Sequence, residues 1–261
     1  MSVRLLLTDE AWAEIASLLA KVTSRAGRPP VLSDRLCIEA VLYRARTGLP
    51  WCDLPKELGH WDAVSNRFRR WEGRGGWRRL WEPRQTADCP RTCHLFIAAT
   101  MGRAHQHAAG AFKKHGGQAA QAVGRSRGGW STNIHAGCRD ARTGVAVVLT
   151  AGHCHESPVF EAGFAQGSPE PSLPHASIDK AYDSYAIREP LIQHDMVPVI
   201  PPKSNRLVPL DSDKHLSKFR EKVERFFNNL KQFRRMATRY ETLSQTFLAL
   251  IHLVAVWIIV K

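Results

Sequence analysis

Residues 217–231 are the stretch whose side chains could most directly do chemistry. They read S-K-F-R-E-K-V-E-R-F-F-N-N-L-K, and helical geometry, at about 100° per residue, sorts them into two faces. The first face is an apolar stripe of Phe219, Val223, Phe226, Phe227 and Leu230. The second face aligns Ser217, Arg220, Glu224 and Lys231. It presents a carboxylate between two cations, which could hold a divalent metal together with a phosphate.

A second acid could be directed at the same metal. The segment I-D-K-A-Y-D-S places Asp179 at the end of the apolar run H-A-S-I, which we expect to be a strand. The alternative for the helix is an ordinary solvated face on which charges four residues apart form ion pairs. The helix by itself leaves both interpretations open.

Composition limits the class of protein. A chain of 261 residues is long enough for one large or two modest domains with hydrophobic cores. With 44% hydrophobic and 23% charged residues, the chain is typical of globular proteins rather than disordered ones. The formal net charge of +13 favours polyanionic partners, among which nucleic acid is the leading one.

The cysteines and the apolar segments indicate the cellular compartment of the protein. The six cysteines follow a start that lacks a secretory signal, so we expect free thiols in a reducing cytoplasm. The C-terminal apolar run T-F-L-A-L-I-H-L-V-A-V-W-I-I-V is shorter than the roughly 20 residues that span a bilayer. It predicts a buried core helix and no membrane segment.

The first third of the chain is predicted to be helical. One helix begins near Thr8, a second runs from Ser33 to Gly48, and a third covers H-W-D-A-V-S-N-R-F-R-R-W-E. A pair of helices joined by a tight glycine-containing turn is typical of helix-turn-helix readers of double-stranded DNA. The candidate DNA contacts are Asn66, Arg67, Arg69 and Arg70. The tryptophans at 61, 71, 77 and 81 are expected in a small core, and the aperiodic residues 82–93 are expected to be a linker.

The rest of the chain mixes strands and helices. W-S-T-N-I-H-A-G-C and V-A-V-V-L-T-A-G flank a turn and predict a hairpin. A strand at H-L-F-I-A-A-T-M precedes them, and P-V-F-E-A-G-F is expected to be helical. H-A-S-I-D and M-V-P-V-I are expected to be strands, with S-Y-A-I-R-E-P-L-I-Q-H as the helix between them. The result is an α/β fold, a mixed sheet with flanking helices, in which acids lie at strand ends.

Several long segments resemble transposases of the insertion sequence 5 family. They include G-R-A-H-Q-H-A-A-G, I-D-K-A-Y-D-S, V-P-V-I-P-P-K-S-N-R and V-E-R-F-F-N-N-L-K-Q-F-R-R, and they occur in the family order. The resemblance implies an RNase H-like catalytic domain at residues 92–261, preceded by an all-α, helix-turn-helix-like DNA-binding domain at residues 1–83. It also implies three acids, Asp, Asp and Glu, that hold two Mg²⁺ ions, for which Mn²⁺ is an alternative.

Carried onto this sequence, the resemblance assigns the second acid to Asp179 and the third to Glu224, as catalytic residues and metal ligands. Arg220 and Lys231 match cationic positions of the family's Tyr-x2-Arg-x3-Glu-x6-Lys signature and would neutralise DNA phosphate. The implied reaction is DNA strand cleavage and transfer at the terminal inverted repeats, by a homodimer that brings two element ends together.

Two departures weigh against an intact enzyme. The family's first strand reads I-D-x-T, whereas this chain reads I-A-A-T, so Ala98 replaces the first acid. Ser217 replaces the signature tyrosine. Because alanine offers no oxygen to a metal, the alternative function is a catalytically defective remnant that acts only as a DNA-binding protein.

Overall fold

A computed structural model describes residues 3–22, 32–86, 94–154, 175–179, 182–201 and 221–261. The helices in these ranges are α1 (Asp9–Val22), α2 (Asp34–Thr47), α3 (Trp61–Gly73), α4 (Gly76–Thr86), α5 (Gly117–Ala120), α6 (Tyr185–Gln193), α7 (Glu221–Lys231), α8 (Arg234–Ala237) and α9 (Ser244–Val260). The strands are β1 (His94–Ala104), β2 (Gly124–Ser126), β3 (Gly129–Cys138), β4 (Gly144–Ala151), β5 (His175–Ile178), β6 (Val197–Val199) and β7 (Thr238–Arg239). An all-helical N-terminal region thus precedes a mixed α/β region.

The N-terminal helices begin and end where the sequence provides caps. The Ser33 hydroxyl accepts a hydrogen bond from the Leu36 amide at 3.2 Å and caps α2. Gly48 ends α2 in the left-handed region at φ 84°. The chain then needs residues 48–60, with two one-turn 3₁₀ helices, to reach α3.

The connection between α2 and α3 differs from the tight turn expected of a helix-turn-helix. Pro50 and Pro55 lack the amide hydrogen that a continuous helix needs, so the chain turns in short steps. The tight glycine turn lies after α3 instead, at Gly75, whose φ is 66°. The predicted linker at 82–93 is wrong for residues 82–86, because α4 continues to Thr86 with Pro83 inside it. Residues 87–93 lie outside the described residues.

The C-terminal region is built on one mixed sheet. Its main path runs β2, β3, β1, β5, β6, with β4 also paired to β3 and β7 also paired to β1. β1 is antiparallel to β3 and parallel to β5, and β5 is parallel to β6. The predicted hairpin is confirmed as β3 and β4. The predicted elements at H-A-S-I-D, S-Y-A-I-R-E-P-L-I-Q-H and M-V-P-V-I are confirmed as β5, α6 and β6. The helix predicted at P-V-F-E-A-G-F lies outside the described residues.

One hydrophobic core joins the helical region to the sheet. Its buried members extend from Leu7 through Trp77 and Phe96 to Ile258. Trp81 is buried with Trp77, as expected, whereas Trp61 is 39% exposed. The helical region therefore packs directly on the rest of the chain.

A buried ion cluster reinforces this junction. The Glu241 carboxylate lies 3.3 Å from the Arg44 guanidinium and 2.8 Å from that of Arg235. Arg235 also donates to the Leu49 carbonyl oxygen at 2.8 Å. Because all three charged side chains are buried, each depends on the others to compensate for lost hydration. Arg44, on α2, is thereby bound to the C-terminal region.

The apolar C-terminal run is a core helix, as predicted. Almost every residue of α9 from Phe247 to Ile258 is buried. His252 is among them, and its ring stacks on Trp81 with 4.7 Å between ring centres. Among the helices that the structure describes, none combines the length and apolarity that crossing a membrane requires.

Candidate functional site

Asp179, the residue directly after β5, lies beside Ala98 on the adjacent parallel strand β1. The register of β1 and β5 pairs His94 with His175 and Phe96 with Ser177. The Asp179 amide then donates to the Ile97 carbonyl oxygen at 3.2 Å, which continues the ladder one step beyond β5. Since side-by-side residues in a sheet point to the same face, Asp179 follows Ser177 onto the face that carries Phe96 and Ala98.

That face of β1 is covered by α7. Phe96 and Ala98 belong to the large core, together with the apolar stripe of α7, whereas Leu95 belongs to a separate cluster on the other face. The predicted stripe is confirmed for the described residues Val223, Phe226, Phe227 and Leu230, all of which are buried. Phe219 lies outside the described residues. Ala98 therefore faces the helix that carries Glu224.

Two contacts fix the direction of α7 along β1. The Lys222 ammonium lies 5.3 Å from the centre of the Phe96 ring. The Lys231 ammonium donates to Thr100 Oγ1 at 2.6 Å and to the Met101 carbonyl oxygen at 3.2 Å. From the first lysine to the second the helix rises about 13 Å, which is about the length of the strand between Phe96 and Thr100. The helix and strand run in the same direction, with Ala98 midway along the contact.

The charged groups of this site differ in exposure. Glu224 is exposed, Asp179 is half-buried and Ala98 is 5% exposed. Lys231 is half-buried, and burial lowers the pKa of its ammonium. Ser217 and Arg220, which the sequence places on the same helical face, lie outside the described residues.

A chain of polar contacts connects Asp179 with Tyr182 and with the sheet. The Tyr182 amide donates to the Asp179 carbonyl oxygen at 2.9 Å. The Tyr182 hydroxyl is 2.7 Å from His135 Nδ1, and His135 Nε2 is 2.8 Å from Thr150 Oγ1. Burial lowers the pKa of His135 to about 4, which keeps the imidazole neutral. The sequence analysis did not predict these contacts, and the tyrosine inside I-D-K-A-Y-D-S was the only indication of them in the sequence.

The two acids of that motif are used differently. Asp183 is buried and forms an ion pair with Arg188 at 3.1 Å. The same arginine donates to the Ile200 carbonyl oxygen at 2.9 Å. Asp183 thus links α6 to the residue that follows β6. Asp179 is therefore the acid of this motif that lies on the sheet face covered by α7.

The donor set does not fit a three-carboxylate metal site. Asp179 and Glu224 each offer carboxylate oxygens, but the methyl group of Ala98 offers none. Within the described ranges, no group of three or more His, Cys, Asp or Glu side chains is arranged to hold a metal ion.

The predicted DNA contacts on α3 separate into two kinds. Asn66, Arg69 and Arg70 are exposed. Arg67 is buried, pairs with Asp34 at 3.2 Å and donates to the Leu32 carbonyl oxygen at 2.6 Å. Its guanidinium is thus committed to holding α3 against the start of α2. The exposed surface continues along the following turn and helix with Arg74, Arg78 and Arg79.

Two sequence families match the chain in succession. Residues 90–259 match the family described as "Transposase DDE domain", and residues 7–81 match the family described as "Putative transposase of IS4/5 family". The chain belongs to the DDE transposases, and its α/β region is consistent with the RNase H-like fold. Proteins of this family use divalent metal ions.

Two curated proteins are similar to parts of the chain. One is "Uncharacterized protein y4sN" of Sinorhizobium fredii, which is 37% identical over 113 residues, or 43% of this chain and 87% of that protein. The other is "Insertion element IS402 uncharacterized 16.2 kDa protein" of Burkholderia cepacia, which is 39% identical over 83 residues, or 30% of this chain and 56% of that protein. No solved structure matches the chain.

Proposed function

We propose that this protein binds the terminal inverted repeats of an insertion sequence and is impaired in the DNA cleavage and strand transfer of its family. The observation that carries this proposal is the position of Ala98, opposite Asp179 and facing α7. A carboxylate would be expected there in an active member of the family. Its replacement by a methyl group removes one of three ligands.

The retained residues would still serve part of the family reaction. When bound, divalent metal ions, of which Mg²⁺ is the proposed one and Mn²⁺ the alternative, activate the attacking oxygen and stabilise the leaving one. Asp179 and Glu224 are the residues that would hold the metal. Lys231, and Arg220 by resemblance, would neutralise DNA phosphate. Loss of one ligand removes much of the transition-state stabilisation that such a site supplies.

Recognition of double-stranded DNA is assigned to the helical region, residues 1–83. Asn66, Arg69 and Arg70 would contact DNA from α3, whereas the buried Arg67 would keep α3 in place. The net charge of +13 supports a polyanionic partner. Because two element ends and the target must be held together, the protein would act as a homodimer at synapsis. It would act in the cytoplasm.

Binding and cleavage assays test the proposal together. A labelled inverted-repeat duplex and a scrambled duplex of equal length are titrated with the protein in a gel-shift assay, and cleavage is followed with Mg²⁺ or Mn²⁺. We expect about tenfold or greater preference for the repeat and no efficient cleavage. Robust cleavage would show that the family reaction is intact, and equal binding to both duplexes would contradict end recognition.

A further inference from the structure

The stretch of chain that forms β1, β2 and β3 carries no negative formal charge on its side chains. Residues 94–139 contain six lysines and arginines but no aspartate or glutamate, in a chain with 24 acidic residues. The three strands made from this stretch are hydrogen-bonded neighbours in the order β2, β3, β1. This part of the sheet therefore carries positive charge that no acid of its own strands neutralises.

The turn between β2 and β3 projects from this part of the sheet. The last pair between β1 and β3 is Arg103 with Ser131, whereas β2 and β3 continue pairing as far as Ser126 and Gly129. The hairpin thus extends about two residues, or roughly 7 Å, beyond its pairing with β1. The Ser126 hydroxyl donates to the Gly129 carbonyl oxygen at 3.1 Å. The projecting turn is therefore closed by its own hydrogen bond.

Two arginines at this turn are available to an external anion. Arg125 and Arg127 are both exposed. In the described part of the chain, neither guanidinium has an acidic partner or a side-chain hydrogen bond. By contrast, the exposed Arg78 and Arg225 each pair with a glutamate on their own helix. The charge of the hairpin arginines is thus not used within the described fold.

The backbone of the turn is open as well. Gly128 is exposed, and a β-carbon added at Gly129 would have no neighbour within 4 Å in the described part of the chain. A ligand can therefore approach the main chain beside Arg127 without meeting a side chain. Guanidinium groups together with accessible backbone amides suit the oxygens of a phosphate group.

We propose that the tip of the β2–β3 hairpin is a second DNA-binding element, in which Arg125 and Arg127 contact the phosphate backbone of a duplex of any sequence. This inference rests on the proposed DNA-binding function and extends it from α3 to the α/β region. Because phosphates are common to all duplexes, the hairpin serves the target DNA as well as the element ends. Preference for the inverted repeats stays with α3.

Salt-dependent fluorescence anisotropy measures this contact on a labelled inverted-repeat duplex and on a scrambled duplex of equal length. At about 0.15 M salt, the double variant Arg125→Ala/Arg127→Ala should bind both duplexes at least about tenfold more weakly than the original protein. Its salt slope should fall by about 2 on both. Unchanged affinity for the scrambled duplex would overturn the inference. So would a loss confined to the inverted repeat.

A second arginine in a hairpin turn provides the control for net charge. Arg142 is exposed and lies between β3 and β4, at the opposite end of β3. Arg142→Ala should change affinity by less than about twofold, whereas Arg127→Ala should lower the salt slope by about 1. Equal losses in these two variants would show that net charge is responsible, and would overturn the assignment to the hairpin.

Two further measurements keep the outcome unambiguous. Arg127→Lys retains the charge and should bind nearly as well as the original protein, and urea denaturation should give the same midpoint for all variants because the altered side chains are exposed. Equal binding of the original protein to both duplexes would contradict recognition of the repeats. The affinity ratios between variants on the scrambled duplex still decide the role of the hairpin in that case.

Discussion

The backbone amide of Asp179 donates a hydrogen bond to the carbonyl oxygen of Ile97 at 3.2 Å. This contact places the side chain that follows β5 beside Ala98 on β1. The remaining acid of the proposed site, Glu224, is carried on a helix held to the same strand by Lys222 and Lys231. These contacts place Ala98 between Asp179 and the helix that carries Glu224.

Arginines 67 and 70 are expected to have separable roles. Arg67→Ala removes an ion pair to Asp34 and a hydrogen bond to Leu32, so it should lower the free energy of unfolding by roughly 2 kcal/mol. Arg70 is exposed, so Arg70→Ala should leave stability unchanged, weaken DNA binding and reduce the salt slope of binding by about 1. Urea denaturation and salt-dependent DNA titration measure the two effects. Identical effects of the two substitutions on both measurements would contradict this division.

The Glu241 cluster should be important for stability. Glu241→Gln leaves the buried guanidinium groups of Arg44 and Arg235 without their carboxylate partner, so the free energy of unfolding should fall by roughly 3 kcal/mol. Glu221→Gln is the matched control, because Glu221 forms an exposed ion pair with Arg225, and its effect should stay below about 0.5 kcal/mol. Urea denaturation compares the two variants. Equal small losses would show that the cluster does not stabilise the junction between α2 and the C-terminal region.

Buried histidines should make the protein less stable in acid. Burial, with a smaller effect of Arg78, lowers the pKa of His252 to about 3 from the ordinary 6.5. Below pH 6.5 His252 therefore binds a proton in the unfolded chain but not in the folded chain. The free energy of unfolding falls as the pH decreases towards 3. His135, whose pKa is about 4, contributes in the same direction.

The substitution His252→Leu removes this proton uptake. Relative to the original protein, the variant should gain about 2 kcal/mol of stability on going from pH 8 to pH 5. His115→Leu, at an exposed position, is the control and should show no such gain. Urea denaturation at both pH values gives the comparison, and a pH-independent difference for His252→Leu would refute the assigned cause.

Tyr182 should stabilise the fold next to Asp179 through its hydroxyl group. Tyr182→Phe keeps the buried ring and removes the contact to His135 Nδ1, which should cost about 1 kcal/mol of unfolding free energy. Tyr185→Phe alters a side chain that is 67% exposed, and its cost should remain below about 0.5 kcal/mol. If both variants unfold at the same urea concentration, the Tyr182–His135 contact does not stabilise the protein.

The local pattern of apolar residues predicted the helices and strands of the site better than the tertiary contacts around them. The apolar stripe of α7 was correct for Val223, Phe226, Phe227 and Leu230 because helical periodicity is a local property. The β3–β4 hairpin was correct for the same reason. Asp179 at a strand end followed from an apolar run that stops at an acid.

Features that depend on distant parts of the chain were not visible in the sequence. Arg67 looked like its exposed neighbours, and only the packing of α3 against Leu32 and Asp34 buries it. The Glu241 cluster joins residues nearly two hundred positions apart, and the His135–Tyr182 contact joins the middle of β3 to a residue that follows β5. Local periodicity carries no information about such partners.

Isothermal titration calorimetry with Mn²⁺ tests most directly whether position 98 is the place from which a metal ligand has been lost. Ala98→Asp should bind Mn²⁺ at least about tenfold more tightly than the original protein, and adding Asp179→Asn or Glu224→Gln should abolish that gain. Equal Mn²⁺ affinity of Ala98→Asp and the original protein, with both folded, would contradict the account. So would a gain that survives both additional substitutions.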